Sequence, residues 1–465
     1  MISLAEINRL MFREYDLRGR VSDRELNERS VKLIGRGFAS FLNRRKINTA
    51  VVGHDFRSYS PKFHAVLISA LMESGVNVID IGQVIAPILY FSQYHLKVKG
   101  AVLVTASHNP NGWSGFKLGY DFSRTLLPDD IKELLKIIQD DDFVSGKGSY
   151  KKMDVIEAYK KDVLKRIELK KRLKIVIDCG NGTTGPIAPD VFRRIGCDVV
   201  EQFCDLDANF PNHDPNPSLV ETMEALGKRV REKKADVGLA FDGDGDRIGV
   251  CDEKGNNVGA DKVLILLARL VLNKIPGSKI IFDVKSTQAL EEDIKAHGGE
   301  PIMWTTGHSY IKNKLQVENA PLAGEKSGHI FYAEGFYPHD DAIFAGLKLI
   351  EYLSAQDRSF SEVMKTIPQF VTSPTYHVDC ADDVKYKVVE KLVAEFKAEF
   401  PKVIDINGAR VVFDDGWGLV RASSNLPVLV LVFEAKTEKR MKEIMNLFGD
   451  RLKKYPEIGK KWRSG

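Results

Sequence analysis

Asp242-Gly243-Asp244-Gly245-Asp246-Arg247 follows directly on the apolar run Val237-Gly238-Leu239-Ala240-Phe241. Five apolar or small residues that stop at three carboxylates read as a buried strand carrying an acidic loop at its end. Carboxylates separated by single glycines repel one another unless a cation neutralises them, so a hard divalent metal with oxygen ligands is the natural occupant. Such a metal in turn favours phosphate as substrate or product. Two other readings compete. Asp242, Asp244, Asp246 and Glu253 stand at positions one, three, five and twelve of an EF-hand loop. However, position six is Arg247, where that loop turns on glycine, and the flanks at 237–241 and 248–251 read as strands, not helices. A solvated acidic turn is the bland reading, and two Asp-Gly steps also suit a hairpin. The rest of the chain has to choose between them.

The strand at 237–241 belongs to a degenerate repeat. Three stretches share one plan: strand, loop, amphipathic helix, glycine, second strand, then a third strand that ends in a polar loop. The first strands are 50–53, 174–177 and 279–282, and they run into Asp55, Asp178 and Asp283. Helices follow at 61–73, 189–195 and 287–296, ending at Gly75, Gly196 and Gly298 as helix C-termini commonly do. Second strands are expected at 76–81, 199–203 and 301–304, and third strands at 101–104, 237–241 and 321–323. The loops after the third strands carry the unusual sequences. They are Thr105-Ala106-Ser107-His108-Asn109-Pro110, the acidic hexapeptide, and Gly324-Glu325-Lys326-Ser327-Gly328-His329. Strands alternating with helices predict mixed α/β domains whose sheets are covered on both faces. Ligands on such sheets bind beyond the strand ends, so three equivalent loops can converge on one cleft. The competing explanation is the generic punctuation of any α/β chain.

From about residue 370 the pattern changes. A strand at 371–379, a helix at 384–400, strands at 411–413 and 428–433 around Trp417, and a helix at 438–453 make a smaller α+β domain. Domains are therefore expected at 1–150, 151–255, 256–369 and 370–465.

Bulk properties narrow the class. At 465 residues the chain exceeds one core, and length alone suggests about three domains. Hydrophobic residues at 43% and charged residues at 28% are ordinary for a globular protein. A net charge of +4 with both signs interspersed gives no sign of a nucleic-acid partner. Five cysteines without a C-x-x-C pair fit a reducing compartment, each reading as a small core residue. Glu6, Arg9, Arg13 and Glu14 crowd the N-terminus without an apolar h-region, so no secretory signal is expected. Apolar stretches such as 263–267 are too short to span a bilayer. A cytoplasmic chain with no membrane partner is the expectation.

Ser107 lies in a turn closed by Asn109-Pro110, with no G-x-S-x-G elbow and no local His–Asp pair. A serine without a base can still carry phosphate if a metal and cations surround it, and Lys117 and Arg18 could supply charge. Its ordinary reading is a turn or helix-cap serine. Gly180-x-Gly182-x-x-Gly185 follows the strand at 174–177, and Glu201 follows the next strand, which makes a respectable dinucleotide fingerprint and an NAD(P)-dependent oxidoreductase the alternative function. A glycine-permissive turn is preferred, because no second cofactor half and no hydride-transfer residue stand out. Arg421-Ala422-Ser423-Ser424-Asn425-Leu426-Pro427 joins an arginine, hydroxyls, an amide and backbone N–H groups into a phosphate cradle or an ordinary polar turn.

Taken in order along essentially the whole chain, these motifs, with Phe12-Arg13-Glu14-Tyr15-Asp16-Leu17-Arg18-Gly19 ahead of them, resemble the α-D-phosphohexomutases, and within them the bacterial and archaeal phosphomannomutase/phosphoglucomutase branch. The resemblance implies four domains around a central cleft, the first three alike. It implies that Ser107 is a phosphoserine and that Asp242, Asp244 and Asp246 hold Mg²⁺ together with an oxygen of that phosphate. Arg247 would sit beside the transferring group, Glu325 and Ser327 would grip sugar hydroxyls, and Arg421, Ser423, Ser424 and Asn425 would hold the phosphate that is not reacting. Tyr15, Arg18, Lys117, Lys285, His308 and His329 match positions lining the cleft, with Lys117 and His329 as proton-transfer groups.

The implied reaction interconverts hexose 1- and 6-phosphates of mannose or glucose through a hexose 1,6-bisphosphate, which also serves as activator. The implied partners are small phosphosugars, and the implied state is a monomer, with a dimer as the alternative. Two departures stand out. Lys326 replaces the usual methionine or other uncharged residue of the sugar loop, placing an extra cation toward the sugar or toward solvent. Ser424-Asn425 replaces the usual Asn-Thr. The Ser-Gly-Thr-Glu-Pro ending of phosphoglucosamine mutases is absent, so that activity ranks lower.

Overall fold

β-Branched and small apolar runs supply the strands. Lys174–Asp178 and Val237–Phe241 are buried almost throughout, as strands covered on both faces must be. The computed structural model describes residues 7–464, so Glu6 of the N-terminal reading lies outside them. The fold divides into two compact units, Met1–Ala260 with Ser327–Ser361, and Asp261–Lys326 with Glu362–Gly465.

The first unit holds two mixed sheets of one topology. In the first, Asn77–Gln83, Thr49–His54 and Gly100–Val104 are parallel neighbours in that order, and Trp113–Tyr120 then adds antiparallel. In the second, Asp198–Gln202, Lys174–Asp178, Val237–Phe241 and antiparallel Ile248–Asp252 repeat the same order. The expected helices appear as Ser60–Glu73 and Ala188–Arg194. The helices Ala86–Leu96 and Val220–Lys233, between second and third strands, were not read from the sequence. Parallel pairing requires such crossovers. Helix Ala342–Ser354, from the segment Ser327–Ser361, also packs on the second sheet.

The second unit repeats the plan once more. Glu300–Trp304, Lys279–Asp283 and Leu322–Gly324 are parallel neighbours, served by helices Gln288–Ala296 and His308–Glu318. The glycines that close the three equivalent helices, Gly75, Gly196 and Gly298, all have φ between 74° and 103°, the left-handed conformation that ends a helix. The remaining sheet of this unit is antiparallel, ordered Val403–Ile404, Ala409–Phe413, Gly416–Ala422, Val428–Ala435, Tyr376–Asp379 and Trp462–Ser464. Alternation along its strands divides the side chains. Val420, Leu429, Leu431 and Phe433 join helices Lys385–Glu399 and Glu438–Leu452 in one core. Trp417, Leu419 and Val432 face the other way and bury Val284, beside the strand Lys279–Asp283.

Two expectations need correction. The strand at 371–379 is two strands, Val371–Thr372 and Tyr376–Asp379, because Pro374 has no N–H to give to a ladder. Arg421 and Ala422 are not loop residues; they end the strand Gly416–Ala422, and the loop proper is 423–427.

Candidate active site

The acidic hexapeptide is a hairpin loop between Val237–Phe241 and Ile248–Asp252, with Phe241 paired to Ile248. It is also a carboxylate cluster. Asp242, Asp244 and Asp246 are fully buried, and ligand oxygens of all three lie within 4.8 Å of one another. Asp242 organises the loop by accepting at Oδ1 from the backbone N–H groups of Asp246 at 3.0 Å and Arg247 at 3.1 Å. Its other oxygen accepts from Ser107 Oγ at 2.7 Å. The donor serine predicted from one repeat and the metal loop predicted from the next therefore meet in the first unit.

Charge balance there is explicit. Lys117, on the strand Trp113–Tyr120, extends its ammonium to Asp244 Oδ2 at 2.7 Å and also to Asp246. Burial disfavours the Lys117 charge, but Asp244 and Asp246 outweigh it and hold its pKa well above the usual lysine range. Burial and the nearby Asp246 and Asp244 push the Asp242 carboxyl well above its ordinary value. Asp246 is held below its ordinary value, the burial penalty being overcome chiefly by the Lys117 ammonium. Asp244 Oδ1 and Asp246 Oδ1 are buried without a hydrogen-bond partner. Such orphaned anionic oxygens are costly in a protein interior unless a cation meets them, and an all-oxygen donor set suits a hard divalent ion.

Arg247 donates from Nε to His329 Nε2 at 2.9 Å. Arginine has no acceptor, so Nε2 must be the lone-pair nitrogen, and the ring proton sits on Nδ1, 3.0 Å from Asp340 Oδ2. Arg18, on Leu17–Arg20, bonds the Ala106 carbonyl at 3.2 Å and Asn109 Oδ1 at 2.6 Å, and pairs with Asp16 at 2.7 Å. Tyr15 is buried near it. Ser107 has φ +50°, a left-handed conformation that costs on the order of 1–3 kcal/mol outside glycine and persists only where neighbours enforce it.

In the second unit the predicted residues gather around Asp283 at the end of its strand. Lys285 Nζ lies 3.5 Å from Asp283 Oδ2, and the Lys326 backbone N–H donates to Asp283 Oδ1 at 3.0 Å. Glu325, 2% exposed, accepts at Oε1 from Gly307 N at 2.6 Å, next to His308 at the start of its helix. The Lys326 side chain, expected toward the sugar or toward solvent, turns onto Asp261 at 3.1 Å, where buried carboxylates keep its pKa raised against the burial penalty. Ser327 follows in the first unit. The loop at 423–427 is folded on itself. Arg421 Nη2 donates to Ser424 Oγ at 3.2 Å, Ser423 Oγ accepts from Asn425 N at 3.4 Å, and Lys385 Nζ bonds the Leu426 carbonyl at 2.9 Å.

The dinucleotide reading of the loop at 180–185 fails on space. A Cβ at Gly182 would lie 2.8 Å from Gly243 Cα, and one at Gly185 would collide with the Cys204 carbonyl. These glycines admit the chain's own backbone, not a pyrophosphate. Four contributors escaped sequence reasoning. Thr105 bonds Asp244 Oδ2 at 3.1 Å and accepts from Ser107 N at 2.9 Å. His108 Nδ1 lies 3.3 Å from Ser107 Oγ, with burial and the charges of Arg247 and Arg18 keeping the ring neutral. Asp340 orients His329, and Lys385 ties the 423–427 loop. Thr105 and His108 lay inside the quoted loop; Asp340 and Lys385 carried no local signal. All five cysteines are free and buried, and no helix among the described residues is long and apolar enough to cross a membrane.

Comparison with known proteins places this geometry. Family models described as phosphoglucomutase/phosphomannomutase match in series: alpha/beta/alpha domain I at 9–145, domain II at 154–255, domain III at 259–370, and the C-terminal domain at 378–448. A phosphomannomutase/phosphoglucomutase of Pseudomonas aeruginosa is 40% identical over 443 residues, covering 95% of each chain. A phosphoglucomutase of Neisseria gonorrhoeae is 40% identical over 463 residues, covering 98% of this chain and 99% of its own. The crystal structure of a phosphoglucomutase/phosphomannomutase family protein from Burkholderia thailandensis superposes with a TM-score of 0.90 at 36% identity, over 96% of this chain and 98% of that one.

Proposed function

Because the chain belongs to the phosphoglucomutase/phosphomannomutase family, we propose that it interconverts hexose 1-phosphate and hexose 6-phosphate, with mannose, glucose or both as the sugar. One observation carries the reading: Ser107 Oγ lies 2.7 Å from Asp242 within a buried cluster of three carboxylates. Phosphorylated Ser107 gives its group to the free hydroxyl of a hexose monophosphate. The serine O–P bond breaks as the sugar O–P bond forms; the sugar hydroxyl proton passes to a protein base, and the freed Ser107 oxygen takes up a proton to restore the serine hydroxyl. The resulting hexose 1,6-bisphosphate reverses its orientation and returns its other phosphoryl group to Ser107.

Asp242, Asp244 and Asp246, with an oxygen of the Ser107 phosphate, would hold Mg²⁺; the two orphaned carboxylate oxygens support that fit. When bound, the ion offsets charge on the phosphoryl oxygens in a loose, in-line transition state. Lys117, kept protonated by Asp244 and Asp246, acts as a charge counterpart and gives up a proton only when those contacts loosen. His329 is the better acceptor for the hydroxyl proton, since Asp340 fixes the tautomer that leaves Nε2 with its lone pair. Arg247 releases that lone pair as it turns to the transferring group. Glu325 and Ser327 take sugar hydroxyls; Tyr15, Lys285 and His308 are the further substrate-binding residues, and Arg18 is a further catalytic one. Arg421, Ser423, Ser424 and Asn425 take the idle phosphate.

The gaps between matched stretches support four domains meeting near 150, 255 and 369. A cytoplasmic monomer is the working state, and size-exclusion chromatography would distinguish it from a dimer. Ser107→Ala should abolish turnover of glucose and mannose 1-phosphates, even with Mg²⁺ and a hexose 1,6-bisphosphate activator, while leaving the unfolding temperature unchanged. Persistent turnover would remove Ser107 from the mechanism. The same assays with glucosamine 1-phosphate decide the sugar. Lys326 turned onto Asp261 supports a sugar site whose charge that substitution leaves alone.

A further inference from the structure

We propose that Arg57 is a positioning residue for Ser107, its buried guanidinium fixing the backbone of the loop that presents the serine. This rests on Ser107 being the phosphoryl carrier. Arg57 is 1% exposed. It donates from Nη2 to the carbonyls of Ser107 at 3.0 Å and Asn109 at 2.5 Å, and from Nη1 to the carbonyl of Pro110 at 3.0 Å. Its Nε faces Asp55 Oδ2 at 3.2 Å, and the same oxygen accepts from Ala106 N at 3.2 Å. Phe210 from the second sheet's domain lies over the guanidinium, 4.8 Å from ring centroid to Cζ. A turn of residues 106–110 thus hangs on one buried ion pair. These carbonyls lie beyond the strand end, with no ladder partner, and a planar fork of five donors can satisfy three of them together.

The internal repeat sharpens the assignment. Asp55 and Asp283 occupy the same place in their repeats, and each accepts from a backbone N–H in the loop after the third strand: Ala106, just before Ser107, and Lys326, just before Ser327. In the second repeat, Gly180 N donates to Asp178 Oδ1 at 2.8 Å, as Arg57 N does to Asp55 Oδ1 at 3.2 Å. The aspartate is common to all three, and the residue two positions later differs: Arg57, Gly180, Lys285. Only the repeat that carries the serine has a guanidinium there, and among the described residues only that side chain binds the loop's carbonyls.

The full-length chain with Arg57→Lys or Arg57→Met tests this by two measurements. Hydrogen exchange at residues 105–112, without ligand, should accelerate by at least about tenfold in both variants, while the strand Gly100–Val104 stays protected. With glucose 1-phosphate, Mg²⁺ and glucose 1,6-bisphosphate, kcat should fall by about a hundredfold with KM held within about twofold, since a misplaced donor loses rate and not binding. Arg57→Lys should recover part of that loss. Unchanged exchange at 105–112, or an effect on KM in place of kcat, overturns the assignment. If Arg57→Met fails to fold, Arg57→Lys supplies both measurements. If the wild-type protein shows no mutase turnover, the functional reading falls, and the exchange data alone decide whether Arg57 fixes the loop.

Discussion

His64 is buried on helix Ser60–Glu73, its Nε2 3.2 Å from Asp80 Oδ1 and its ring 4.7 Å from that of His54. Burial outweighs Asp80 and brings its pKa down to about 4 from 6.5. The folded protein therefore keeps His64 neutral at a pH where the unfolded chain takes a proton. Stability from this group is complete above pH 6.5 and is lost as pH falls through 6.5 toward 4, a loss of order 2–3 kcal/mol. His64→Gln should flatten the pH dependence of the unfolding temperature across that window, measured by calorimetry. Identical profiles for the variant and the parent would place the acid sensitivity elsewhere. Residue-scale chemistry was only partly legible in the chain. The carboxylates of 242–247 announced themselves by their spacing, whereas the chain left Lys326 open between sugar and solvent, and the structure turns it onto Asp261. No local pattern reports that a lysine will meet a carboxylate 65 residues away.

At the scale of elements, the informative contact is between two loops. The hexapeptide approaches the Ser107 loop so closely that a Cβ on Gly243 would lie 2.5 Å from the Ser107 carbonyl. Glycine is needed there for space, and the Asp-Gly alternation follows from that as much as from hairpin chemistry. Gly243→Ala should displace Ser107 from Asp242 and lower kcat about a hundredfold with the circular dichroism spectrum unchanged, since small misplacements of reacting groups are amplified in rate. A fully active alanine variant would mean that the two loops can separate without consequence. The strands, the helices after them and their terminal glycines were readable because each obeys a local periodicity. The crossover helices Ala86–Leu96 and Val220–Lys233 were not, the first because its mostly buried residues leave little polar–apolar contrast to read.

At the scale of the molecule, the proposed site residues form two sets, each within one compact unit. Ser107, the three aspartates, Lys117, Arg247 and His329 belong to the first; Lys285, His308, Glu325 and the Arg421 loop belong to the second. Their contributions should therefore separate in kinetics. Arg421→Ala, which removes a charge-assisted contact worth about 1.5–3 kcal/mol, should raise KM for hexose 1-phosphate by about ten- to a hundredfold. The Mg²⁺ concentration giving half-maximal activity should stay unchanged. A shift in metal requirement of the same size would show that the two sets of residues do not act separately.

The three-fold strand–helix plan, the change to a smaller α+β final domain, and the three chemical loops were all legible in the chain, because periodicity, glycine placement and charge spacing are local properties. Tertiary structure alone decided that Ser107 reaches Asp242, that Asp340 selects the tautomer of His329, and that Arg57 rather than a surface residue holds the donor loop. The first of those contacts joins two sheets, and the other two join residues 11 and 50 positions apart along the chain. Which buried charge finds which partner is settled by the cost of leaving either one unpaired.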